Sequence, residues 1–152
     1  MDTIEMLQAS EDIRTLVYDY AFHLDMNQTK ELAALFVDDC SVSYGPGFGA
    51  AGMEALHKTF EGVRTYFSAT SHHVSNVKIE FKGEDTAIVR TVLYAWHHYA
   101  TERPDGHLWG QYHDVVVRRP EGWRFKRREM RVTGVKDFHL KPEHQHPIGR
   151  QA

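Results

Sequence analysis

The sequence has one cysteine, Cys40, and no unbroken apolar run long enough to span a bilayer. A lone cysteine closes no internal disulfide, which fits a reducing cytosol, and as a free thiol it reads as a small buried hydrophobe. The opening MDTIEMLQASEDIR mixes charged and apolar residues within each turn, with no basic stretch leading into an apolar one. Neither a signal peptide nor a membrane anchor is expected, and the chain is read as cytoplasmic with no membrane partner. An excess of one charge sign is also missing: 18 basic residues face 21 acidic ones, for a net charge of -3. That balance gives no global field for nucleic acid. The one basic run (Arg118, Arg119, Arg124, Lys126, Arg127, Arg128, Arg131) reads as the solvated outer face of a strand, so no nucleic-acid partner is expected. Metal motifs are absent too: there is no HExxH helix and no Cys/His knuckle. The adjacent pairs His72-His73 and His97-His98 point to opposite faces of a strand, so neither chelates one ion through both members and no metal is expected.

What is present is enough for one core: 152 residues, 41% hydrophobic and 12% aromatic. Ile13, Leu16, Val17, Tyr20 and Leu24 recur at helical spacing and predict a first helix ending near Asp25. Asn27, Gln28 and Thr29 are cap candidates for a short second helix with Leu32, Leu35 and Phe36 on one face. A short strand over residues 40–44 precedes a glycine-rich stretch, and Met53, Leu56, Phe60 and Val63 predict a third helix. The stretch from Gly47 to Gly52 spells GxGxxG between a strand and a helix. The antiparallel hairpins that follow leave no room for a doubly wound sheet, so it reads as a turn whose glycines permit positive φ.

From residue 71 onward the character is strand. Val77, Ile79 and Phe81 alternate with polar residues, Gly83-Glu84-Asp85 turns the chain, and residues 86–100 are β-branched and aromatic. Two more strands, about 108–119 and 123–136, flank Pro120-Glu121-Gly122. The pattern predicts an α+β domain over residues 1–137: a cone-shaped barrel of three N-terminal helices packed on a strongly curved, mainly antiparallel sheet, with a C-terminal tail at 138–152. Strands this long coil and bulge, which leaves a hollow on the concave side.

Three places carry candidate chemistry. Tyr20 and Asp25 end the first helix, and His72-His73 enter the first long strand. An imidazole gripped by a carboxylate is fixed in one tautomer and accepts a proton near neutral pH. Spacing alone leaves the plain uses open: Asp25 as a helix terminator, Tyr20 as core, His72 as an ordinary strand histidine. Alternation places His73, not His72, on the face of Val77, Ile79 and Phe81, so His72 reaches the hollow only through a bulge near Ser75, and His73 stays the alternate base. For the hollow's wall the candidates are Phe22, Tyr44, Phe60, Tyr94, Trp96 and His98, with Trp109, Tyr112, Met130 and Arg131; His97 stands beside His98 as an alternative polar group.

In order along the chain stand Tyr20-x4-Asp25, LxxLFxDD at 32–39, His72-x3-Asn76, a Gly110-x-Tyr112-x-Asp114 strand and a Gly122-Trp123-Arg124 strand opening. Together they resemble the SnoaL-like family of the nuclear-transport-factor-like (cystatin-like) superfamily, in the branch of scytalone dehydratase, bile-acid dehydratase and hexachlorocyclohexane dehydrochlorinase. The resemblance implies an enzyme: a cofactor-free lyase or isomerase of dehydratase or elimination type, acting on a small, apolar, cyclic molecule such as a polyketide or steroid. Asp25 would orient His72 as the catalytic base, and Tyr20 would donate to a substrate oxygen. It also implies a homodimer or homotrimer. The other reading it leaves open is a non-catalytic binding or accessory module resembling the small subunit of aromatic-ring dioxygenases.

Overall fold

In this computed structural model, which describes residues 1–139 and Ile148, the elements run α1 (Thr3–Asp25), α2 (Thr29–Ala33), β1 (Phe36–Gly45), β2 (Phe48–Ala51), α3 (Met53–Tyr66), β3 (Phe67–Phe81), β4 (Thr86–Tyr99), β5 (Gly106–Arg119) and β6 (Gly122–Lys136). Six strands form one curved sheet in the order β2-β1-β6-β5-β4-β3, antiparallel except where β1 runs parallel to β6. The helices cover its concave face, so the expected α+β cone is the observed architecture. No helix among the described residues is long and apolar enough to cross a membrane. The expected tail lies almost wholly outside the described residues.

The start of α1 is fixed by a capping box: the Asp2 carboxylate accepts from the Glu5 amide at 2.9 Å and the Glu5 carboxylate from the Asp2 amide at 2.7 Å. Its end is fixed by Asn27 at φ 55°, with Gln28 N–H donating to the His23 carbonyl and Asn27 N–H to that of Leu24. This left-handed stop satisfies the terminal carbonyls and leaves Asp25 as the last helical residue. Asn27 therefore closes α1 instead of capping α2. Phe36 likewise leaves the helix predicted for it, because Phe125 N–H donates to the Leu35 carbonyl and draws the chain into β1.

Between α1 and the sheet lies the core, where Ile13, Leu16 and Val17 meet Val89, Val116 and Phe125. The glycine-rich stretch is the β1–β2 hairpin. A Cβ at Gly49 would stand 2.1 Å from the Val42 carbonyl oxygen, so a close strand approach, not a phosphate, requires that glycine.

Of the register shifts in the sheet, two decide the faces of His72 and Arg128. In β3, Ser75 pairs with Val92 but Lys78 with Arg90, so one extra residue is inserted beside Asn76 at φ 50°. Above it the even residues Thr70 and His72 share a face, and below it the odd residues Val77 and Ile79 do. In β6, Val115 pairs with Arg127 but Val116 with Phe125, and the extra residue lets both Phe125 and Arg128 point inward.

Candidate active site

Asp25, at the C-terminus of α1, faces the first half of β3. Its Oδ1 lies 2.6 Å from His72 Nδ1 and accepts from Thr70 Oγ1 at 2.8 Å, and its Oδ2 accepts from the His72 amide at 2.8 Å. Burial pushes this carboxyl up, but the hydrogen bonds from the His72 ring and backbone and from Thr70 outweigh it, leaving Asp25 below the ordinary carboxylate range. It is therefore ionised at neutral pH and accepts from Nδ1–H, which in a neutral ring leaves the lone pair on Nε2.

His72 lines an apolar cavity inside the cone. Tyr20, Tyr44, Phe60, Tyr112 and Met130 line it as well. Tyr20 and Tyr44 hydroxyls share a 2.5 Å hydrogen bond. Burial pushes both phenols up, Tyr44 strongly, so both stay protonated. Behind them Arg128 and Asp114, with fully buried side chains, form a bidentate pair at 2.9 and 2.8 Å. The guanidinium carbon sits 3.9 to 4.1 Å from the ring centroids of Tyr20, Tyr112 and Phe125. Burial alone would lower the Arg128 pKa, but Asp114 raises it further, so the cation is permanent and already neutralised.

His97, 6% exposed, is the second cavity histidine, its ring centroid 5.3 Å from that of His72. Burial first, then the neighbouring His72 and His139, lowers its pKa to about 3, so it is neutral. Its Nδ1 has no hydrogen-bond partner among the described residues. Phe67 and Phe138 pack on the ring at 4.6 and 4.8 Å.

The predicted site thus divides. His72 and Tyr20 line the cavity, and Asp25 holds His72 from beside it; His73, paired with Tyr94 one register position on, is exposed and shares a second cleft with Asp25 and His72. Of the expected wall, Tyr44, Phe60, Tyr112 and Met130 line the cavity. Tyr94, Trp96, His98, Trp109 and Arg131 do not: they occupy positions between the inward Leu93, Ala95, His97, Leu108 and Val132, and strand alternation turns them outward. Phe22, 68% exposed, lies outside this cavity and lines the cleft that Asp25, His72 and His73 share. Sequence reading passed over Arg128, counted with the solvated basic run, and the cavity residues Phe67, Phe138 and His139. Among the described residues no group of three or more His, Cys, Asp or Glu could hold a metal ion.

Residues 5–129 match the description of the SnoaL-like domain. A crystal structure named "Putative Scytalone Dehydratase", from Novosphingobium aromaticivorans DSM 12444, is 51% identical, with TM-score 0.92 and 99% of each chain covered. Hexachlorocyclohexane dehydrochlorinase LinA-type3 from Novosphingobium barchaimii LL02 shares the fold at 19% identity, TM-score 0.80, over 90% of this chain and 94% of that one. An uncharacterized protein of Mycobacterium tuberculosis (strain ATCC 25618 / H37Rv) is 28% identical over 119 residues, 77% of this chain and 80% of its own. With the curved sheet, the helices on its concave face and a match running from α1 into β6, this chain belongs to the SnoaL-like domain family.

Proposed function

We propose that the protein is a cofactor-free lyase of the dehydratase or elimination type, with His72 as base, acting on a small, uncharged, ring-bearing molecule. The observation that carries this reading is the Asp25–His72 contact at the wall of an apolar cavity. His72 Nε2 takes a proton from a carbon made acidic by a neighbouring carbonyl, and Asp25 stabilises the imidazolium that forms. The carbonyl oxygen gains charge and is met by the phenol of the Tyr20–Tyr44 pair whose proton is not spent on the other. As the carbon–oxygen bond breaks, the proton on Nε2 passes to the departing hydroxyl, water leaves, and His72 is neutral again. The names of the similar proteins, a dehydratase and a dehydrochlorinase, support elimination as the reaction class.

An uncharged substrate follows from the polar groups at hand. Arg128 is committed to Asp114, His97 is neutral, and the tyrosines are protonated, so among the described residues no free cation awaits a carboxylate or phosphate. His97 Nδ1 offers a hydrogen-bonding position for a second substrate oxygen. The exposed aromatic outer face, with Trp109 43% accessible, supports self-association as a dimer or trimer.

Two probes test the reading. With scytalone, the expected result is loss of water. With 5-nitrobenzisoxazole, a flat neutral ring, removal of the C3 proton breaks the N–O bond and releases a coloured phenolate, so the probe reports a base in an apolar pocket whatever the natural substrate. His72→Ala should reduce turnover of the second probe by roughly 10²–10⁴-fold with the melting temperature nearly unchanged. Equal rates in wild type and variant would return the protein to the binding-module reading.

A further inference from the structure

Asp25 is an anion in an unfavourable place. As the last residue of α1 it stands at the negative end of the helix dipole, and among the described residues no lysine or arginine forms an ion pair with it. What keeps it ionised and still is a set of three donors from one stretch of β3, and only two of them belong to His72. The third is the Thr70 hydroxyl, 2.8 Å from the same Oδ1 that receives the imidazole.

Placement of Thr70 follows from strand geometry. It lies two residues before His72, on the same face and above the Asn76 bulge, so its hydroxyl and the imidazole approach one carboxylate from a fixed spacing. Its branched side chain has few χ1 states, which limits where the hydroxyl points. With the His72 amide on Oδ2 and Thr70 on Oδ1, both ends of the carboxylate are occupied by donors that do not move when His72 gains or loses a proton. Thr70 takes no part in the cavity wall. It lines a small cleft beside Asp25, with Leu24, Asn27 and Val63.

We propose that Thr70 is a positioning residue for the dyad: its hydroxyl and the His72 amide lock the Asp25 carboxylate in one rotamer, which holds His72 in the Nδ1–H tautomer with Nε2 free for substrate. This rests on His72 acting as a base, but the tautomer can be read without any reaction. Thr70→Val keeps the shape and removes only the donor, and Thr70→Ser keeps the donor.

The experiment uses the full chain and 5-nitrobenzisoxazole. Thr70→Val should lower kcat by roughly tenfold with KM within twofold, since Thr70 acts through Asp25 and not on the ligand. The acid limb of its pH–rate profile should move downward, because a carboxylate no longer locked against Nδ1 stabilises the protonated dyad less. Thr70→Ser should restore both. A purely structural role would lower the melting temperature of Thr70→Val and leave the limb in place. In parallel, imidazole ¹⁵N NMR of the unliganded protein should show a protected His72 Nδ1–H in wild type and Thr70→Ser, and its loss or rapid exchange in Thr70→Val. Retention of that proton in Thr70→Val, together with an unmoved acid limb, overturns the proposal. If wild type and His72→Ala turn the probe over equally, the base reading fails and the Nδ1–H signal alone decides the role of Thr70.

Discussion

One sheet carries two histidines gripped by aspartates, one on each face. Inside, His72 Nδ1 meets Asp25 at 2.6 Å; outside, His98 Nδ1 meets Asp105 at 2.7 Å. The bonds are nearly the same, and the surroundings are not. The inner side chains are 6% and 23% exposed and face an apolar cavity, whereas the outer ones are 54% and 39% exposed. Asp25 takes three donors from β3; Asp105 takes His98 and, at 3.0 Å, the indole N–H of Trp96. A His–Asp contact is thus no signature of catalysis. Water competes for every hydrogen bond at His98, while the ring of His72 is largely shielded from it and borders an apolar cavity.

The widest expected gap between the two pairs is in turnover. With 5-nitrobenzisoxazole, His98→Ala should stay within twofold of wild type while His72→Ala falls by the factor of roughly 10²–10⁴ expected for a lost general base. A comparable loss in both would mean that the sheet's outer face, or an assembly built on it, supports the chemistry.

Next in size is a contrast in stability. Asp114→Ala strands the fully buried Arg128 cation and should cost about 3–5 kcal/mol in urea unfolding. Asp105→Ala, at the surface, should stay within about 0.5 kcal/mol. A mild Asp114→Ala would show that the guanidinium finds another partner beneath the tyrosine rings.

The smallest effect concerns pH. The ordinary histidine value is near 6.5, and burial holds His97 at about 3 in the folded chain. As pH falls through that window the unfolded chain takes up a proton that the folded one refuses, so the contribution is intact above 6.5 and is lost on acidification. Between pH 7 and 5 the loss should reach about 2 kcal/mol, since one pH unit is worth about 1.4 kcal/mol. Urea midpoints at the two pH values should draw together in His97→Leu and keep the wild-type separation in His98→Ala. An unchanged separation in His97→Leu assigns the acid sensitivity to other groups.

Much of this architecture is legible in the sequence. The end of α1, the long hairpins and the three helices follow from periodicity and turn residues, and the inner aspartate and histidine came from motifs in a recognisable order. Alternation alone misplaced His73, because it runs straight through Asn76, where the chain inserts a residue. It also concealed Arg128, which a second inserted residue in β6 turns from the basic outer face into the core beside Asp114. The choice of Tyr94, Trp96, His98 and Trp109 for the cavity has a different origin: aromatic character drew attention to residues whose strand position turns them outward. Composition identifies sticky side chains, and only register says which face they serve.

Asn76 gives β3 two half-strands that are out of phase, the upper one supplying Thr70 and His72 to the site and the lower one supplying Val77 and Ile79 to the interior. A shortening by one residue there acts like a frameshift written in side-chain direction. Either the imidazole or the hydrocarbon keeps its inward heading, never both, so the spacing between residues 72 and 77 constrains this protein as tightly as the identity of any residue in it.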